Sequence, residues 1–136
     1  MESLYKNNSI NIYLINNKLN IHFLEESMTD EIFENIKKYV TLFLNICSKK
    51  NTQFYFVYDF TKLSLKNYAN ILSYAKSGGG FLNSVKNILE KHLIGTIIIT
   101  ESSIADSLFN LVLTFYNPIK PIKFYKSNDV IDYNFN

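Results

Sequence analysis

The chain has 136 residues, 47% of them hydrophobic and 19% charged, a balance that fits one globular domain with a real core and excludes disorder. Its net charge of +2 is too small to point to a nucleic acid or a membrane surface. All 14 basic residues are lysine, so the planar bidentate donor that reads phosphates and guanine edges is missing.

The first elements form the clearest local pattern. Ile10, Ile12 and Leu14 alternate with Asn11 and Tyr13, and Leu19, Ile21 and Phe23 alternate with Lys18, Asn20 and His22. Period-two patterning on both sides of Asn16-Asn17 predicts a β-hairpin near a sheet edge, because asparagine tolerates positive φ in a tight turn. His22 falls on the wet face and reads as a solvated strand residue. Ser27-Met-Thr-Asp-Glu31 then supplies hydroxyls for an N-cap and two acids for a first helical turn. Ile32, Phe33, Ile36, Val40, Phe43, Leu44 and Cys47 recur at helical spacing, which predicts an amphipathic helix laid on a sheet. Cys47 is the one cysteine, so no disulfide and no thiolate metal site is expected.

Gln53 to Thr61 is a continuous aromatic and β-branched run, and Leu93 to Thr100 is its counterpart. Runs without polar alternation read as parallel strands covered on both faces. Between them Leu65, Tyr68, Leu72 and Ala75 make one helical stripe, and Phe81, Val85, Ile88, Leu89 and His92 make another. Ser77-Gly-Gly-Gly80 is expected to break the helix between the two stripes, since three glycines are costly in a helix interior. Neither the P-loop nor the dinucleotide fingerprint is matched there. His92 is expected at a helix end, in a capping role. Glu101-Ser102-Ser103 begins a last long helix that stops at Pro118. Ile104, Leu108, Leu111 and Phe115 form its core stripe, and Phe109, Leu113 and Tyr116 form a second apolar stripe. That second stripe is offered to a partner, or is covered by residues 132–136. Ile122 to Tyr125 is a short strand, and Asn128 to Asp132 looks like the start of a short helix.

The expected class is therefore α/β: a single domain over 1–136 with a mixed, mostly parallel sheet of about five strands (β-β-α-β-α-α-β-α-β) and an N-terminal hairpin. Ligands of such sheets sit beyond the carboxyl ends of the strands. That places Asp59, Thr61 and Ser64 after one core strand, and Glu101, Ser102 and Ser103 after the next. Asp59 and Glu101 could be imagined as a carboxylate pair, but no converging set of catalytic groups accompanies them. No catalytic residue, metal site or cofactor is expected, and neither histidine is expected near these strand ends. The start of the chain shows no signal peptide, and no apolar run approaches roughly 18 residues, so a cytoplasmic protein without a transmembrane segment is expected.

Phe56-Val-Tyr-Asp-Phe-Thr-Lys-Leu-Ser-Leu65, and the strand–helix–strand stretch from Thr96 through Asp129, resemble the STAS domain of anti-sigma-factor antagonists and transporter modules. They also resemble the larger CRAL-TRIO lipid-binding domain. The STAS resemblance implies a non-enzymatic module working through protein–protein contact, with self-association as a homodimer as one form. Its contacts would use the loop after Asp59 and the face of Phe109, Leu113 and Tyr116. The phosphorylated Asp-Ser-Ser-Gly-like stretch of that family is replaced here by Asn67-Tyr-Ala-Asn70. The CRAL-TRIO resemblance implies the alternative, a small lipid or apolar-ligand binder with the last helix as a pocket wall.

Overall fold

A computed structural model of the chain describes residues 1–63, 68–101, 110–111 and 113–135. Its centre is one six-stranded sheet in the order β1-β2-β3-β4-β5-β6, so each strand lies beside the one that precedes it in sequence. The strands are β1 (Glu2–Lys6), β2 (Ile10–Ile15), β3 (Lys18–Phe23), β4 (Phe54–Asp59), β5 (Leu93–Thr100) and β6 (Ile122–Lys126). The first two pairings are antiparallel and the other three are parallel. This is the expected α/β class with its hairpin at the predicted place. Asn16 takes the left-handed backbone at φ 54°, and Ile15 faces Lys18 across the turn.

One strand more than expected is present. β1 carries no buried residue, so no alternation marks it in the sequence. It is an edge strand paired antiparallel with β2, and its Tyr5 stacks on Tyr39 at 4.6 Å and accepts a hydrogen bond from the Asn35 side chain.

Helix α1 (Asp30–Lys50) begins where the acids and hydroxyls predict. The Thr29 side chain accepts the Ile32 N–H, and Asn51 ends the helix in the left-handed conformation at φ 53°. Its stripe Ile32, Ile36, Val40, Phe43, Leu44 and Cys47 is buried against β2, β3 and β4, where Ile10, Ile12, Leu19 and Ile21 are fully enclosed. Each such fully buried isoleucine or leucine stabilises the fold by about 1.5–3 kcal/mol. Phe43 meets Phe54 edge-on at 5.1 Å, and Phe54 meets Phe56 in the same way.

The glycine run does not break the next helix. Helix α2 (Tyr68–Ser84) passes straight through it, and the break falls at Val85, before α3 (Lys86–His92). Packing overrides propensity here. A Cβ on Gly79 would run into the carbonyl oxygen of Phe115, so only glycine lets α2 approach the helical residues 113–115 so closely. His92 is buried and lies 3.0 Å through Nδ1 from the Thr52 carbonyl oxygen. It ties α3 to the α1–β4 connection rather than capping its own helix.

The residues after β6 also depart from expectation. Asp129 accepts the Lys126 N–H through its carboxylate and closes a turn where a helix was expected to start. The chain from 130 to 135 then crosses the sheet face opposite the helices. Tyr55 donates its hydroxyl to the Tyr133 carbonyl, Lys123 donates to the Asp132 and Asn134 carbonyls, and the Phe135 ring rests on Gly95. Val57 and Ile97 point to this outer face and are buried. Residues 132–135 therefore cover the sheet, not the second stripe of the last helix.

Candidate functional site

Two places in the fold gather side chains with something to do. The first is the expected strand edge. Parallel pairing of β4 with β5 sets Asp59 beside Ile99, so Glu101 follows the neighbouring strand off the same edge, in exposed position. Asp59 is already engaged on both oxygens. Oδ1 accepts the Thr61 N–H at 3.0 Å and the Thr61 hydroxyl at 2.6 Å, and Oδ2 lies 3.5 Å from Nε2 of His22. Thr61 thus serves to hold the carboxylate. Ser64, Ser102, Ser103 and Phe109 lie outside the described residues.

The expectation that neither histidine stands near this edge is corrected. β3 runs parallel to β4 in a register that places His22 opposite Asp59. His22 and Asp59 face outward with Asn11, the cross-strand neighbour of His22. The Asn11 side-chain oxygen is buried and has no hydrogen-bond partner among the described residues. Tyr13 stands close by; burial first, and the Asp59 charge second, push its phenol pKa upward and keep it un-ionised. His22, Asp59, Asn11 and Tyr13 thus form a polar group on the outer face at this strand edge. Among the described residues no three His, Cys, Asp or Glu side chains come together as a metal site.

The second place lies on the other face, between the sheet and helices α1 and α2. A cavity of about 180 Å³ opens there. Its floor is Phe56, Tyr58 and Ile98 of β4 and β5, and its walls include Val40 of α1 and Leu82 of α2. The cause is legible in α2. The residues it turns toward this space include Ala75, Gly78 and Gly79, which fill far less volume than the stripe of α1. Lys37 is the one charged lining residue among those described, and it sits beside Phe33, Tyr74 and Gly78 where α1 and α2 face each other. The Tyr74 hydroxyl donates to Asp30, bridging the two helices.

The sequence pattern places Tyr116 on one apolar stripe with Leu113, either offered to a partner or covered by another segment. The structure separates the two. Leu113 is 42% exposed, whereas Tyr116 is 7% exposed and lines the cavity with Leu111. The helical residues end at 115, so Tyr116 has left the helix and its helical phase no longer applies. The Tyr58 ring borders the cavity and is partly buried against the core. Burial drives its phenol pKa upward, with the nearby Tyr116 adding to the effect. Among the described residues no helix is long and apolar enough to cross a membrane. Comparison with protein-family models, with curated proteins and with solved structures finds no match to this chain.

Proposed function

We propose that this chain is a small apolar-ligand binding domain without catalytic activity, with the ligand held between the helices and the sheet. The observation that carries the reading is the cavity of about 180 Å³, walled almost wholly by aliphatic and aromatic side chains. An apolar recess of this kind favours apolar guests over water. The CRAL-TRIO resemblance of the sequence agrees in kind. The test is fluorescence enhancement of a naphthalene dye by the purified protein. We expect enhancement that is lost in Ala75→Phe, which puts a ring into the space, while far-UV circular dichroism stays unchanged. A dye response that Ala75→Phe leaves intact would remove the cavity as the site.

A second reading, a STAS-like module acting through protein contact, draws on Leu113, which remains exposed to solvent. It expects Leu113→Asp to change elution volume or partner capture. An unchanged elution volume, with no dependence on protein concentration in the parent chain, rules out self-association through that residue.

A further inference from the structure

The cavity's volume and its one charged lining residue among those described narrow the kind of guest. We infer that the occupant is a single-chain organic anion, a medium-length fatty carboxylate, with its head on Lys37 and its chain against the sheet. This inference rests on the cavity being the binding site.

Volume sets the size class. An apolar cavity of about 150 Å³ takes a benzene-sized guest. The space here, about 180 Å³, is slightly larger and far too small for a diacyl lipid or a sterol. Shape favours a chain over a ring. The floor runs along β4 from Phe56 and continues past its end to Phe60, a distance of roughly 13 Å at the rise of a strand. Lining residues spread over that span leave room along the floor for an extended or gently bent alkyl chain.

Charge sets the head group. Lys37 is the one cation bordering the cavity among the described residues, and its side chain is 33% exposed, at the boundary between wall and solvent. Its ammonium lies 2.8 Å from Glu34, but that carboxylate is 67% exposed and the pair spans only i to i+3, so water screens it heavily. An ammonium has three donors, and this contact uses one. The Nζ also stands 5.1 Å above the Phe33 ring, which borders the same space and fixes the stem of the lysine toward it. Placed there, a carboxylate gains a charge-assisted hydrogen bond while its alkyl chain leaves water.

The experiment uses the full chain at pH 7.5 with three probes of equal length, octanoate, octan-1-ol and octylamine, read by calorimetry and thermal shift. Octanoate is expected to bind about tenfold or more tightly than octanol, the factor that one charge-assisted hydrogen bond supplies, and octylamine is expected to bind least. In Lys37→Gln, octanoate is expected to fall to the affinity of octanol, with octanol unchanged. Equal binding of octanoate and octanol by the parent chain, or a preference that survives Lys37→Gln, overturns the anion assignment and leaves the cavity as a site for neutral guests. Absence of binding by all three probes overturns the cavity reading itself. Octanol binding that drops with octanoate in Lys37→Gln marks a damaged fold, and Lys37→Met then repeats the test with a side chain that retains the apolar stem.

Discussion

The two halves of the helix layer cover the same face of the same sheet and do so differently. Over β2 to β4, α1 supplies six buried side chains, and residues such as Ile12, Leu19 and Leu44 are fully enclosed. Over β4 to β6, α2 presents Ala75, Gly78 and Gly79 instead, and a cavity remains. Part of the difference is side-chain volume on α2, whose lining residues mix Ala75, Gly78 and Gly79 with the larger Tyr74, Phe81 and Leu82. Close packing is thus a property of this sequence in one half and is absent from the other, which is where a guest has room.

This contrast can be broken by substitution, and the largest effect is expected in the filled half. Leu44→Ala should cost about 2–5 kcal/mol in urea unfolding, because a fully buried leucine leaves a void that its neighbours cannot close. Leu82→Ala, on the cavity wall, should cost roughly half that or less, since it only widens an existing space. Equal losses would mean the two halves are packed alike.

Next come the glycines of α2. Gly79→Ala should destabilise by about 1–3 kcal/mol, because the new methyl meets the Phe115 backbone, which has no soft torsion to yield. Gly80→Ala meets nothing within 4 Å and should instead stabilise by about 1 kcal/mol through helix propensity alone. Dye binding should be retained in Gly80→Ala. Chemical denaturation of the pair separates packing from propensity.

The smallest expected effect concerns the bridge between the helices. Hydrogen bonding to Asp30, then burial, then the Asp30 charge raise the Tyr74 pKa from 10.0 to about 12. The folded chain holds this proton more tightly than the unfolded one, so the bridge stabilises fully below pH 10 and its contribution fades as pH rises through about 12. Tyr74→Phe should therefore flatten this part of the alkaline loss of stability, measured by denaturation at pH 9 and pH 11. Identical slopes in parent and variant would show that the bridge contributes nothing.

The hairpin, α1 with its Thr29 cap and the parallel core strands β4 and β5 were readable from the sequence because each rests on local periodicity or local turn chemistry. What was missed depends on partners distant in the chain. β1 lacks period-two alternation because its apolar Leu4 and Tyr5 are adjacent at a register shift, and the Gly78 to Gly80 run stays helical where another segment packs on Gly79. His22 joins Asp59 only through the register between β3 and β4, though two strand ends that each finish in a polar residue were a usable sign. Tyr116 was misplaced because helical phase was extended one residue past the helical backbone. The cavity left a faint signal: small residues at Ala75, Gly78 and Gly79, at helical spacing, opposite a strand of large aromatics.

The sequential strand order has a consequence for how the molecule is made. Because β1 through β6 line up in the order of translation, each new ribbon leaving the ribosome finds an edge already prepared for it. No strand has to thread between two others, although each parallel pairing still joins residues far apart in the chain. The hollow beneath α2 can close only after β5 and β6 have joined, so the growing sheet acquires this cavity near the end of assembly.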